Sequence, residues 1–263
     1  MDLKLEGKRA FISGSTQGIG YAIAQQLLNE NAEVIINGRN ADKTAQAVAQ
    51  LQAEFPKAKV AGIAADFANA QAIENLLAQL TNIDMLINNV GIFELKDFES
   101  TSDADWQRMF DINVMSGVRL SRHILPQMLA KNWGRILFIS SESGVNVPEN
   151  MIHYGMSKAA MMAVANGVSK LTKGTAITVN TILGGPTYSA GVAATVEHIA
   201  QTQNLSVAQM KNAIVQQTNP DSLLQRFIEP AEIASLAAYL CSPLAVATNG
   251  ASLRADGGVL RVL

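Results

Sequence analysis

Through the first 140 residues, short apolar runs rich in β-branched residues alternate with longer stretches whose apolar positions recur every three or four residues. The short runs predict strands at Arg9–Ser13, Glu33–Asn37, Lys59–Ala65, Ile83–Asn88 and Gly134–Ser140. The longer stretches predict helices at Ile19–Asn29, Asp42–Glu54, Ala70–Leu80 and Asp103–Lys131. Short buried strands in β–α alternation predict a parallel sheet covered by helices on both faces. Asp103 reads as the N-cap of the last helix, and Pro126 is expected to kink or end it.

Further along, the pattern predicts a helix at about Met151–Leu171 and a strand at Ala176–Thr181. The stretch Gly184–Glu229 reads as irregular, with one or two helical patches. Pro230 at the first helical position opens a helix through Leu240, and Ala251–Ala255 reads as a last strand before Asp256-Gly257-Gly258. No internal repeat, low-complexity tract or linker divides the chain. The expectation is one α/β domain over residues 1–263, a doubly wound, Rossmann-like parallel sheet.

Composition narrows the classes. An apolar fraction of 48% supports a large core, and 16% charged residues argue against long disorder. A net charge of −2 gives no electrostatic case for nucleic acid or an acidic membrane surface. The single cysteine, Cys241, excludes an internal disulfide and a multi-cysteine metal site. The start M-D-L-K-L-E-G-K-R-A lacks a signal-peptide core, and no uninterrupted apolar run reaches membrane-spanning length. A cytoplasmic, soluble chain is expected. His123 and His198 have no partner at ligand spacing, so no metal site is expected.

Candidate chemistry begins where the first strand runs into G-S-T-Q-G-I-G, Gly14 to Gly20, and then a helix. Glycines there let the backbone approach a pyrophosphate, and the helix start offers unpaired N–H groups and a favourable dipole. The alternative is a turn that needs glycine only for tight packing. The spacing is G-x-x-x-G-x-G, not the commoner G-x-G-x-x-G. The second strand ends in Asn37-Gly38-Arg39, where an acidic side chain would mark a ribose diol. Arg39 is instead suited to a 2′-phosphate, which favours NADP(H) over NAD; the alternative is an ordinary solvated arginine.

Tyr154 and Lys158, in Y-G-M-S-K, are four apart and share a helix face. A neighbouring ammonium is expected to lower the phenol's pKa toward the working range. A surface pair is the competing reading. His153, beside Tyr154, points elsewhere on the helix and reads as packing or substrate rim. Met156, Met161 and Met162 read as core or subunit-interface filler.

With these features in their shared order, the chain resembles the short-chain dehydrogenase/reductase family in its single-domain subclass. The resemblance runs from Gly7 to Gly258. It is carried by Gly14–Gly20, Asn88-Asn89-Val90-Gly91, Asn113 in D-I-N-V, Ser141 in I-S-S-E-S-G, Tyr154, Lys158 and Asp256-Gly257-Gly258.

The resemblance implies a hydride transfer between nicotinamide and a carbonyl or alcohol. Ser141 would hydrogen-bond the substrate oxygen, with Ser140 and Ser143 as rival assignments. Tyr154 would be the general acid/base. Lys158 would lower its pKa and bind the nicotinamide ribose, and Asn113 would hold a water linking Lys158 to solvent. The cofactor would lie over Gly14, Ser15, Thr16, Gly18, Ile19 and Gly20. Arg39 would meet the 2′-phosphate, Asp66 and Phe67 the adenine, and Asn88, Val90 and Gly91 the adenosine ribose. Asp66 also reads as an N-cap. Thr187 and Ser189 would meet the carboxamide.

Residues 184–229 would cover the substrate, and a homotetramer or homodimer is implied. Departures from the family pattern are Ser13 for threonine, Val90 for alanine, and Gly184 for the usual proline, expected to loosen the backbone there. The same motifs serve 3-oxoacyl carrier-protein reductases and sugar or steroid dehydrogenases. Less favoured readings are a mutase or epimerase on the same fold and an NADP(H)-sensing protein without chemistry.

Overall fold

A computed structural model describes residues 2–262, the side chain of Ala190 excepted. Seven parallel strands form one sheet. They are β1 (Arg9–Ile12), β2 (Glu33–Gly38), β3 (Val60–Ala64), β4 (Met85–Asn88), β5 (Trp133–Ser141), β6 (Ala176–Gly184) and β7 (Ser252–Ala255). Their order in the sheet is β3-β2-β1-β4-β5-β6-β7. The chain therefore winds outward from β1 in one direction and, after β3, returns to wind outward in the other. The switch lies between β1 and β4, and in such sheets ligands bind beyond the strand carboxyl ends at this point.

The helices are α1 (Gly18–Asn29), α2 (Ala41–Glu54), α3 (Ala70–Gln79), α4 (Asp103–Asn113) and α5 (Met115–Ala130). They continue with α6 (Ile152–Lys170), α7 (Ala190–Thr202), α8 (Val207–Thr218) and α9 (Pro230–Cys241). One apolar layer packs α1 and α9 on the sheet through Ile23, Leu27, Ile233 and Ala237. The other packs α3, α5 and α6 through Ile73, Leu120, Ile124 and Met161. The inner strands are apolar on both faces because both are covered. Among the described residues, no helix is long and apolar enough to cross a membrane.

Two expectations are corrected and a third is narrowed. The helix expected over 103–131 is two, with Val114 serving as C-cap of α4 and N-cap of α5. Its first N-cap is Ser102, not Asp103. The Ser102 hydroxyl accepts from the Asp105 N–H, and the Asp105 carboxylate returns the bond. Pro126 does not end α5, which continues to Ala130.

Residues 184–229 are also more ordered than expected. Gly184 closes β6 and is paired with Ser141 on one side and Ala255 on the other, so the ladder fixes its backbone without a proline ring. The following segment carries the two full helices α7 and α8, joined by a small apolar cluster of Val196, Ala200 and Met210.

Two buried polar features stand at the opposite end of the sheet from the glycine turn. Arg135 donates to the carbonyls of Ser242, Gly134 and Ala176, so a fully buried guanidinium holds the end of α9 against β5 and β6. Cys241, the last residue of α9, is buried beside it, and burial pushes its thiol up to about 12.

Candidate active site

The glycine turn is built for close approach. Gly14 and Gly18 have φ of +61° and +62°, a region that side chains with a Cβ rarely adopt. At Gly20 the reason is space: a Cβ would lie 2.5 Å from Asn89 Nδ2 and 2.9 Å from the Gly14 oxygen. The turn runs straight into α1, whose N-cap Gln17 offers no side-chain bond, so the first N–H groups stay available for an anion.

Side chains from β2 and the β4 end hold this turn. Asn37 Oδ1 accepts from the Gly14 N–H at 3.1 Å, while its amide donates to Ile63 and Ala65 carbonyls. Asn89 Nδ2 donates to the Ser13 and Gly14 carbonyls, at 3.0 and 2.7 Å. The Ser13 hydroxyl donates to the Ile87 oxygen and accepts from the N–H groups of Asn89 and Val90. Ser13 thus keeps the bonding function of a threonine hydroxyl. Sequence reasoning passed over Asn37 and Asn89 as braces; an amide at each strand end, able to donate and accept, was the signal.

Other expected cofactor residues divide into two groups. Thr16 packs on Gly38, Val90 packs on Gly14, and Ser189 Cβ lies 3.4 Å from a Cβ placed on Gly18; all three border the turn. Ile19 and Gly91 are half-buried or exposed around it, as is Arg39, which is exposed and has no ion pair among the described residues.

The second group, which shares Ser189 with the first, consists of residues that are buried or already hydrogen-bonded within the protein. The Ser15 hydroxyl donates to the Ile12 oxygen and accepts from the Asn37 N–H, and the residue is fully buried. The Asn88 amide turns toward Ser121 of α5, away from the cleft. Phe67 is buried, leaving only its backbone for a ligand. The Thr187 hydroxyl donates to the Gly185 oxygen, and Ser189 caps α7 through the Val192 N–H. Asp66 accepts from the Ala68 N–H, but the N-cap of α3 is Asn69, which removes the capping reading.

At the end of β5 the side chains expected to react gather. Ser140 Oγ donates to the Lys158 carbonyl at 2.9 Å, which makes it a brace. Ser141 Oγ accepts from the Ser143 N–H and donates to Glu142 Oε2. Ser143 Oγ donates to Glu142 Oε1 at 3.1 Å. The turn presses on α6: a Cβ at Gly155 would lie 2.7 Å from the Ser143 oxygen, and one at Gly144 would lie 2.9 Å from the α6 backbone at Ala159. This contact fixes the distance between Ser141 and the Tyr154 helix.

Lys158 is buried, with its ammonium 5.5 Å from the Tyr154 ring centre and donating to the Ile139 carbonyl at 3.0 Å. Burial lowers its pKa to about 8, against an opposing pull from Glu142. Tyr154 departs from expectation. Burial pushes its phenol up to about 12; the Ser141 side chain opposes the shift and Glu142 adds to it. Loss of water outweighs the Ser141 hydrogen bond, so the phenol holds its proton at neutral pH.

Asn113 ends α4 and is fully buried. It accepts from the Ile92 N–H at 2.7 Å and donates to the Ile92 oxygen and to Ser157 Oγ, both at 2.9 Å. Ser157 in turn donates to the Tyr154 carbonyl. Gly91 adjoins this network, since a Cβ there would meet Lys158 Nζ at 3.3 Å. His153 is fully buried, edge-on to Trp106 at 6.0 Å, which settles packing over substrate rim.

The geometry has close parallels. A profile described as short chain dehydrogenase matches residues 8–200. The uncharacterized oxidoreductase YvrD of Bacillus subtilis (strain 168) is 42% identical over 266 residues, covering 100% of both chains. A D-beta-hydroxybutyrate dehydrogenase of Cupriavidus necator is 31% identical over 259 residues, 97% of this chain and 98% of that one. Among solved structures, L-sorbose reductase from Gluconobacter frateurii, complexed with NADPH and L-sorbose, superposes with a TM-score of 0.93 at 27% identity, covering 100% of both chains.

Proposed function

Because this chain belongs to the short-chain dehydrogenase family of oxidoreductases, we propose that it is an NADP(H)-dependent carbonyl reductase or alcohol dehydrogenase with Tyr154 as its acid/base. The observation that carries the reading is the meeting of Ser141, Tyr154 and Lys158 at the carboxyl end of β5, beside the glycine turn. The turn fits a dinucleotide: a cradle in which a Cβ at Gly20 would collide, ahead of a helix start without a side-chain cap.

NADP(H), when bound, supplies or takes the hydride. The protein's own groups manage the oxygen. Tyr154, protonated at neutral pH, gives its proton to the carbonyl oxygen as negative charge develops there. Ser141, on turning its hydroxyl proton from Glu142 Oε2 to the incoming oxygen, would hold that oxygen in place. Lys158, held by the Ile139 carbonyl, keeps a positive charge close to the phenol and stabilises the phenolate left behind. Asn113, through Ile92 and Ser157, keeps the wall beside Lys158 in register.

Exposed Arg39 supports NADP(H) over NAD(H), as no carboxylate competes for it among the described residues. The pairs α7 and α8 would close over a small-molecule carbonyl or alcohol. The low charge of α6 supports a homodimer or homotetramer. Relatives named as 3-oxoacyl carrier-protein reductases and hydroxybutyrate dehydrogenases keep those substrates as alternatives.

The test is Tyr154→Phe in an NADPH-oxidation screen over aldehydes, ketones, keto-sugars and β-keto esters. Turnover should fall at least about a thousandfold with NADPH affinity nearly unchanged. Turnover retained within tenfold would refute the assigned acid.

A further inference from the structure

Glu142 opens the short turn Glu142–Gly144 that follows β5, and it is half-buried. One carboxylate oxygen accepts from the Ser141 hydroxyl and the other from the Ser143 hydroxyl, so the side chain is held from both sides. The turn lies on α6 at Lys158 itself. A Cβ at Gly144 would meet the Lys158 carbonyl carbon at 2.9 Å and Lys158 Cβ at 3.1 Å. The Lys158 ammonium reaches back to the carbonyl of Ile139, three residues before Glu142. A carboxylate and an ammonium are thus fixed to one strand end, with no direct ion pair between them among the described residues. The Tyr154 phenol joins the group through its hydrogen bond with Ser141.

Charges in a poorly hydrated site act on one another over several ångströms with little screening. A carboxylate there favours the protonated form of each titrating neighbour. Burial raises the Tyr154 phenol and lowers the Lys158 ammonium; Glu142 pushes both upward. We propose that Glu142 is a positioning residue: its fixed negative charge keeps a proton on Tyr154 and on Lys158 together, holding the pair in the state that reduces a carbonyl. The effect acts through space, so it persists when the Ser141 hydroxyl turns its proton toward a substrate.

Other charges around the turn do not serve instead. On the neighbouring strand β6, no titrating side chain occurs between Ala176 and Gly184. On α6, His153 is buried against Trp106, and Lys170 stands at the far end of the helix. Glu149, in the loop between the turn and α6, is exposed. Lys96 is paired with Asp105, and Arg108 with Glu94. The inference rests on the reading of Tyr154 as the acid with Lys158 behind it.

The experiment is the pH profile of kcat/KM for cyclohexanone, which carries no titrating group, at saturating NADPH. Wild type, Glu142→Gln and Glu142→Asp are compared. As pH rises Lys158 loses its proton first, so the wild-type alkaline limb should fall at about pH 8. Glu142→Gln keeps the shape and loses the charge, and its limb should move about one pH unit lower. Glu142→Asp keeps the charge and should hold the limb within about half a unit of wild type. A Glu142→Gln profile lowered equally at every pH would show a structural role alone and overturn the proposal.

The Lys158 Cε resonance in lysine-labelled protein, assigned by its loss in Lys158→Met, reads the same charge without turnover. It should titrate about one pH unit lower in Glu142→Gln than in wild type. That shift, alongside a wild type that turns over no ketone, would sustain Glu142 and refute the reductase reading. An unshifted resonance would overturn Glu142 alone.

Discussion

Lys158 and Tyr154 show how two side chains read correctly as a pair can carry a different balance of forces once buried. Spacing on one helix face was legible; the water each loses depends on β5, the Ser141–Gly144 turn and loop residues distant in sequence. For Lys158 the folded pKa of about 8 lies below the unfolded value, so the unfolded chain binds more protons between them. The resulting contribution is fully present above the unfolded pKa and lost as pH falls through about 8. Lys158→Met removes it. Scanning calorimetry should show wild type gaining stability relative to the variant between about pH 8 and 10.5, with the variant inactive throughout. A pH-independent difference would count against a desolvated ammonium. At Arg39, the expected outcome of Arg39→Ala is a loss of about tenfold or more in NADPH affinity with NADH affinity nearly unchanged, by fluorescence titration. Equal losses would reject the phosphate contact.

Elements were legible where period and caps agreed. The strands and α1, α2, α3, α6 and α9 stand within two residues of their expected ends, apart from β6, which runs three residues further because its pairing to β5 and β7 continues through Gly184. Propensity could not reveal that ladder. Nor could it reveal the break at Val114, where no glycine or proline interrupts the chain. The break ends α4 at Asn113, whose side chain pairs with both backbone groups of Ile92, a tertiary need invisible in the local pattern. The side-chain directions of Ser15 and Asn88 were illegible for a related reason: position in a motif says which residue is expected near the cofactor, not which way its side chain turns. The capping box at Ser102 starts α4 and so indirectly places Asn113. Ser102→Ala should cost about 1 kcal/mol by denaturant unfolding with little change in kcat. A loss of activity without a loss of stability would contradict a purely local cap.

At the scale of the molecule, all the groups assigned to chemistry stand at the carboxyl ends of β1, β2, β4, β5 and β6, where loops diverge around the switch between β1 and β4. The opposite end is given to support, with Arg135 tying α9 to the strands and Cys241 beneath it. That division made the site legible in outline: motifs that end strands point to one edge of the sheet. It also gives the single cysteine a use in the laboratory. A thiol held protonated and shut away from solvent is a clock for the opening of α9. Under native conditions an aromatic disulfide reagent should modify Cys241 only as fast as that helix detaches, and saturating NADPH should slow the reaction if the nucleotide end and the support end open together. An unchanged rate would mean that the two ends of the sheet come apart independently, each with its own lifetime.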